Sequence, residues 1–593
     1  MLKMSPPAGT GWHFPEKIGK TLFLGYICFM ARNLFLKENT INCLLETSVE
    51  RFGSRPALGM ALEEPLTYSD LFRSVSSMAA LLKKQGVRKG DKIAILGENS
   101  PHWGIACLAS MRIGAVVVPI LPDFPETDIH HILVDSEAKI LFTTQRQMEK
   151  VLGLRDNKLL FVITLDDFKA EIDFLTVEPI SNFIEKARHF LRQIPDKIGL
   201  KSTAVSEDDI ASIIYTSGTS GHSKAVMLSH RNFIANVLTT SNHLLEIFPE
   251  WTFLSILPLS HTYEFTLGFL FPLLNGARIV YVGKTPTPSV LEKICRVEKP
   301  RVIPAVPLIM EKIYKKKVLA AFEKKFMLRV ISKVPLLKMK IYRKIARKLV
   351  EFFGGELKTM AIGGAAINRE AEIFLKKSGF PYLIGYGLTE SAPLLAGGPW
   401  GDPTIAVGST GKPIPGVEIK IDDPHPRTGI GEILARGPNI MKGYYKNPQA
   451  TREALDEEGW LHTGDLGYFD KLNNLFIRGR SKNMILMSNG ENIYPEAIED
   501  KINSCMHVVE SLVMEKNGRL EAWVYLDYDL IDEETRNKSQ QQKREYIDDL
   551  LLRLKEAINP ELSAFSQIAH FVEHKEPFEK TATSKIKRYL YTH

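Results

Sequence analysis

Residues 215–230 read YTSGTSGHSKAVMLSH; seven of the first ten are Gly, Ser or Thr, and a lysine closes that run. Such a composition suits a loop that wraps polyphosphate. Gly218 and Gly221 can take positive φ without a Cβ clash, so successive backbone N–H groups can turn inward as an anion nest. Thr216, Ser217, Thr219 and Ser220 add hydroxyl donors, and Lys224 adds a point charge. The apolar run 211–215 predicts a strand entering the loop, and residues from about His230 onward predict a helix leaving it, a context that favours phosphate binding. The spacing is G-x-x-G-x-x-K and not that of the Walker loop. The segment GSTGKP at 408–413 also misses that pattern, with Ala406 in place of the first glycine and Pro413 in place of Ser/Thr. The bland alternative for the first loop is a solvent-exposed turn.

A loop of this kind needs a scaffold. From about residue 67, helical stretches alternate with short apolar strands: KIAIL (92–96), a helical pattern over 103–113, then AVVVPI (115–120). The pattern returns in FLSILPL (253–259), ARIVYV (277–282) and LKTMAIGG (357–364), which argues for βαβ units. Past about residue 407, alternating strands dominate: VEIKI (417–421), GEILARG (431–437) and NLFIRGR (474–480). The expected architecture is α/β: a large N-terminal body of mostly parallel sheets with a β-rich subdomain, plus a small mobile α+β C-terminal domain. The expected divisions are a leader over 1–39, a body over 40–481 whose β-rich part is 406–481, and a lid over 482–593.

At 593 residues the chain is too long for one core. No apolar run spans a bilayer. The five cysteines are scattered without a C-x-x-C pair, which fits a reducing cytoplasm, and the histidines show no metal-ligand spacing that would argue for structural zinc. The net charge of +7 is uneven, because 311–350 carries fourteen Lys/Arg against Glu311 and Glu323. No nucleic-acid signature or interleaved aromatics accompany that block, so nucleic acid ranks below an anionic membrane surface as its partner. Leu337, Ile341, Ile345 and Leu349 recur every four residues as an apolar stripe on a basic helix expected to begin near Pro335. Two readings stay open: peripheral contact with membrane, or a stripe buried in the body with solvated charges. The apolar segment 21–31 offers a second candidate anchor.

Further segments accompany the phosphate loop in one order: LPLSHTYE (257–264), AIGGAA (361–366), GYGLTES (385–391), GWLHTGDLGYFD (459–470), RGRSKNMILMSNGENIYPEAIE (478–499) and FEKTATSKIKR (578–588). Together they resemble the adenylate-forming superfamily of acyl-CoA synthetases, aryl-CoA ligases, peptide-synthetase adenylation domains and luciferases, over roughly residues 40–588. VPLIMEKIY (306–314), MSNGENIYP (487–495) and the ending PFEKTATSKIKR look most like long-chain fatty acyl-CoA synthetases. Departures from the usual pattern are Ser220 for Thr, Ser223 for Pro, Ala225 for Gly, Ser584 for Gly and Leu308 for Arg. None removes an essential charge.

The resemblance implies a Mg-ATP-dependent fatty acid–CoA ligase that forms acyl-AMP and pyrophosphate, then acyl-CoA and AMP. It implies that Gly363 to Ala366, including Gly364 and Ala365, with Gly385, Tyr386, Gly387 and Thr389, wall the adenine and α-phosphate. Asp465 would accept from the ribose hydroxyls, with Arg480 beside it, and Glu390 would hold Mg²⁺, a hard cation that wants a hard oxygen. Lys585 would stabilise charge on the α-phosphate as the carboxylate attacks. The hinge would fall at Lys482, and Ser488 and Gly490 would line the CoA channel. His261 would gate the acyl pocket with Tyr263 and Phe265 as apolar wall; a core histidine is its rival. An acyl carrier protein presents the same thiol as CoA, and a noncatalytic lipid-binding relative would keep the fold without turnover.

Overall fold

In the computed structural model, which describes residues 34–155, 157–167, 170–171, 204–216, 224–283, 287–319, 335–398, 400–487, 492–581 and 585–591, the Pro101–Arg112 helix is buried on nearly every side. Its sequence is apolar all round, as a helix enclosed by protein requires. Ser100 caps it by accepting from the Trp103 N–H, and Pro101 sits in the first turn, where no N–H is missed. The helix lies between two sheets and touches strands of both.

One sheet runs, in spatial order, Lys412–Pro413, Leu394–Gly397, Tyr382–Gly387, Thr359–Ile362, Val302–Ala305, Thr252–Ser255, Arg278–Tyr281, Pro56–Met60 and Leu66–Thr67. Its pairings from Tyr382–Gly387 to Pro56–Met60 are parallel, with antiparallel strands at both edges. The other runs Gly443–Tyr444, Lys224–Ser229, Ile210–Thr216, Val116–Ile120, Lys92–Leu96, Ile140–Thr143, Phe161–Thr164 and Ala170–Glu171, again parallel at its centre. The apolar runs anticipated as strands therefore occupy the parallel interiors. Their Val and Ile residues face helices on both sides, so continuous apolar runs are what burial selects there.

The phosphate-loop context differs from the expectation. Lys224–Ser229 is a strand, antiparallel to Ile210–Thr216 with Thr216 opposite Lys224, and only then does the His230–Thr239 helix begin. The loop thus joins two strands of a hairpin. KAVMLS pairs along its whole length, and Ser229 with Asn232 forms a capping box that holds the helix start six residues beyond Lys224. Phosphate binding at this loop cannot draw on that helix's N-terminal dipole. Residues 217–223 lie outside the described residues, Ser217, Gly218, Thr219 and Ser220 among them.

Beyond the body, Glu418–Asp422, Gly431–Arg436, Leu461–Phe469 and Leu475–Arg480 form an antiparallel four-stranded sheet. Burial alternates along Leu461–Phe469, the pattern of a strand with one covered face. A smaller α+β domain follows: Val508–Lys516, Arg519–Leu526 and Ile568–Glu573 form its sheet, and the Pro495–Asn503 and Gln540–Ile558 helices pack Ile498, Ile502, Leu550 and Leu554 into its core.

The basic Pro335–Phe352 helix forms as anticipated, but its apolar side is turned inward. Tyr342, Ala346, Leu349 and Phe353 are buried with Phe374 and Leu375 of the Arg369–Ser378 helix, and Ile345 packs against the same core. Of the stripe, Leu337 is exposed. The protein's own core takes up the face that a membrane contact would have used. No helix among the described residues is long and apolar enough to cross a membrane.

Candidate active site

The carboxyl ends of the parallel strands converge on one cleft of about 3180 Å³, where open α/β sheets bind ligands. Of the anticipated site residues that fall among the described residues, all but Phe265 line it. Ser488 and Gly490 lie outside those residues, so no channel is described at that place.

The turn after Thr359–Ile362 supplies Gly364, with φ of 87°, and Ala365. The turn after Tyr382–Gly387 supplies Thr389 and Glu390. Glycine is needed at 387, because a Cβ there would lie 1.8 Å from the Pro393 carbonyl oxygen. Asp465 and Arg480 are opposite one another on adjacent antiparallel strands. Asp465 Oδ1 is 2.8 Å from Arg480 Nε, and Oδ2 accepts from the Tyr386 hydroxyl at 2.6 Å. Arg480 also donates to the Thr463 carbonyl at 3.2 Å. Burial pushes the Asp465 carboxyl up, opposed by the Arg480 charge. Each carboxylate oxygen keeps a second lone pair free to accept from a diol.

Glu390 is gripped from two directions. Its carbonyl accepts from Met441 N–H at 2.8 Å, and Oε1 accepts from the Tyr444 hydroxyl at 2.9 Å. Lys224 Nζ lies 4.6 Å from the centroid of the same Tyr444 ring. Sequence reasoning missed Tyr444; the only signal was an adjacent tyrosine pair within MKGYYKNP, which reads equally well as packing. Among the described residues no group of three or more His, Cys, Asp or Glu could hold a metal by itself. A single carboxylate whose Oε2 takes no hydrogen bond among them fits Mg²⁺, which binds through one or two carboxylates plus phosphate oxygens and water.

His261 borders the cleft where the acyl group is expected. Its Nδ1 accepts from the Tyr263 N–H at 3.2 Å, so the proton of the neutral ring sits on Nε2. Burial, and then the Lys585 charge, push its pKa down to about 4, so it is a neutral donor at physiological pH and not an acid or base there. Tyr263 also lines the cleft, with its hydroxyl on the Ala361 carbonyl at 2.7 Å. Phe265 corrects the expectation of an apolar wall: it is buried against Trp103, Phe233 and Phe269 and does not reach the cleft. Its segment, Glu264–Leu270, is π-helical, which sends Leu267 to the cleft and Phe265 and Phe269 to the core.

Lys585 enters from the C-terminal domain. Thr581 N–H donates to the Lys585 carbonyl at 2.8 Å, and Thr581 Oγ1 accepts from Lys585 N–H at 3.2 Å. The side chain lies in the open cleft, solvent-accessible yet walled by protein. That enclosure and the Arg480 charge lower its pKa, while Asp465 and Glu390 act in the opposite sense. Two contacts brace the C-terminal domain in this orientation: Lys315 Nζ donates to the Val508 carbonyl at 2.8 Å, and Asn368 Nδ2 to the Asp500 carbonyl at 3.0 Å. Lys482, in the Ser481–Asn483 turn between the domains, is exposed.

The pattern of the family described as AMP-binding enzyme matches residues 45–445. A probable CoA ligase of Humulus lupulus is 30% identical over 460 residues, covering 76% of this chain and 76% of that protein. A long-chain-fatty-acid–CoA ligase of Drosophila melanogaster is 28% identical over 520 residues, covering 80% and 74%. In fold, a benzoate CoA ligase from Burkholderia xenovorans superposes with a TM-score of 0.73 at 20% identity, covering 94% of this chain and 100% of that one.

Proposed function

The chain belongs to the AMP-binding enzyme family and is an ATP-dependent, AMP-forming acid–thiol ligase, and from that premise we propose that its acid is a long-chain fatty acid and its thiol CoA. The observation that carries this reading is the set of apolar residues that line the same cleft as His261. Leu244, Ile256, Leu267, Val306 and Leu394 line it together with small Gly397, and none of these could pair with a second charge on the acid. Burying each methylene of an acyl chain there contributes roughly 0.8 kcal/mol. The similarity to the Drosophila long-chain ligase points the same way.

A free carboxylate is a poor acyl donor because its leaving group would be oxide, so the acid must first be joined to AMP. In this reading Asp465 accepts from the ribose hydroxyls, and Tyr386 and Arg480 hold its carboxylate in place. Lys224 binds phosphate at the mouth of the hairpin loop. Glu390 would hold Mg²⁺, which would offset the negative charge of the phosphates. The carboxylate oxygen attacks the α-phosphorus in line and pyrophosphate leaves. Charge grows on the equatorial α-phosphate oxygens, and Lys585 stabilises it from the opposite domain. That Asp465, Arg480, Glu390, Lys224 and Lys585 all line one cleft supports this reading. For the thiol step, Lys585 must withdraw by rotation about Lys482 so that another face of the C-terminal domain meets the acyl-AMP.

The test is pyrophosphate release and thioester formation across an acid panel from acetate and benzoate to laurate and palmitate, with CoA as acceptor. Laurate or palmitate should give the highest kcat/KM. A higher value for acetate or benzoate rejects the long-chain reading, and thioester formation on a holo carrier protein but not on CoA rejects the acceptor.

A further inference from the structure

Tyr444 stands between two opposite charges. Its hydroxyl donates to Glu390 Oε1 at 2.9 Å, and the Lys224 ammonium lies 4.6 Å from its ring centroid. Lys224 and Glu390 form no ion pair with each other among the described residues, although both line the same cleft. The segment carrying the tyrosine is fastened on both sides. Gly443 and Tyr444 pair with Met227 and Val226, Tyr445 N–H donates to the Ala225 carbonyl, and Met441 N–H donates to the Glu390 carbonyl. The Tyr444 N–H itself donates to Thr451 Oγ1 at 2.9 Å, and the residue is only 6% exposed. The strand of the phosphate lysine and the turn of the carboxylate are thus joined through one buried side chain.

Lysine and glutamate side chains that border one cleft attract each other, and direct pairing would neutralise both groups before nucleotide arrived. A neutral aromatic ring that offers its π face to the cation and a single O–H to the anion satisfies each charge without cancelling either. We propose that Tyr444 is a positioning residue that keeps Lys224 and Glu390 apart and separately oriented, the lysine for phosphate and the carboxylate for the divalent cation that accompanies it. The proposal rests on the reading of Glu390 as the cation's ligand, and its two parts separate by chemistry. The hydroxyl acts on cation binding, whereas the ring acts on nucleotide binding with or without cation.

Equilibrium binding of ATP is measured calorimetrically without divalent cation and over a Mg²⁺ titration, with thermal midpoints as a check of folding. Tyr444→Phe keeps the ring and the packing. It should leave metal-free ATP affinity within about twofold and raise the Mg²⁺ concentration at half-effect by roughly tenfold, the worth of one hydrogen bond to a charged group. Tyr444→Leu removes the spacer as well, and should also weaken metal-free ATP binding by about tenfold. In a Glu390→Gln background, Tyr444→Phe should add no further shift. If Glu390→Gln leaves the Mg²⁺ dependence unchanged, the reading of Glu390 fails. If Glu390→Gln shifts it and Tyr444→Phe does not, the role of Tyr444 fails while that reading stands. Equal losses with and without Mg²⁺ in Tyr444→Phe would mean that the residue only packs, and would overturn the proposal.

Discussion

Lys585 approaches Asp465, Arg480 and Glu390 from the other domain, and its lowered pKa reflects its enclosure and the neighbouring guanidinium. In the proposed mechanism a cation there stabilises the charge that builds on the α-phosphate and does not serve the thiol attack. Lys585→Ala should lower acid-dependent adenylation by about 100- to 1000-fold and leave thioester formation from supplied acyl-AMP within about threefold. Equal losses in both half-reactions would remove the assignment. Glu264 illustrates the opposite case of a buried charge that is avoided. It is fully buried, neither carboxyl oxygen has a partner at full hydrogen-bond geometry among the described residues, and burial, opposed by the nearby Ser255 hydroxyl, pushes its pKa up to about 8. Gly268 leaves it room, since a Cβ there would lie 2.5 Å from its carboxyl carbon. The folded state therefore holds a proton that the unfolded chain releases near its ordinary carboxylate pKa. The associated stability is fully present below that pKa and is lost as pH rises through about 8. Denaturant midpoints between pH 5 and 8.5 should fall with pH, by on the order of a few kcal/mol in unfolding free energy. Glu264→Gln should flatten the dependence, and a wild-type midpoint that does not change over that range would show the carboxyl ionised throughout.

At the scale of elements, two helices show how tertiary packing selects among sequence patterns. The Pro335–Phe352 helix has an apolar stripe legible by eye, yet the face that packs coincides with it only in part: Ile345 and Leu349 belong to both, and Tyr342 and Ala346 join them. Aromatic contact with Phe374 at 5.1 Å draws Tyr342 inward, and Leu337 is left outside. Leu349→Ala should destabilise the protein by about 2–5 kcal/mol, whereas Leu337→Ala should stay within about 0.5 kcal/mol. Comparable losses at the two positions in a denaturation experiment would contradict this packing. The Ser481–Asn483 turn makes the complementary point, since no covered face ties Lys482 to either domain. Lys482→Pro, by fixing φ near −65°, should slow the thiol step at least tenfold and spare adenylation; a normal rate with CoA from acyl-AMP would place the hinge elsewhere.

At the scale of the whole molecule, the proposed mechanism makes the orientation of the C-terminal domain select the half-reaction. Lys315 reaches from the Tyr314–Leu319 turn to the Val508 carbonyl, and its ammonium is lowered by burial at that boundary. Lys315→Met removes that brace while keeping much of the apolar stem. Interdomain energy transfer between labels should then show a larger fraction of molecules away from the arrangement with Lys585 in the cleft. Adenylation should slow by about three- to tenfold, and thioester formation from supplied acyl-AMP should not slow. An unchanged distance distribution would mean that the Lys315 contact is not needed to hold this orientation.

Much of the body was legible in the sequence because its strands are buried on both faces. Runs such as IAIL (93–96) and MAI (360–362) must then be apolar, and they are recognisable without knowing their partners. The chemistry-bearing side chains were legible for a related reason: Asp465, Glu390 and Lys585 sit in segments whose spacing resembles one family. Local pattern could not decide what depends on partners distant in the chain. KAVMLS carries no mark of the antiparallel pairing that makes the phosphate loop a hairpin, since that depends on IASIIYT and on Tyr444 about 220 residues later. Phe265 and Leu267 are equally apolar, and only the π-helical turn against Trp103 and Phe233 sends one to the core and the other to the cleft. The sequence by itself therefore determined which groups are present and which layers carry them. The tertiary structure decided which side chain each group meets, because hydrogen bonds, ring contacts and desolvation all act over a few ångströms between residues far apart along the chain.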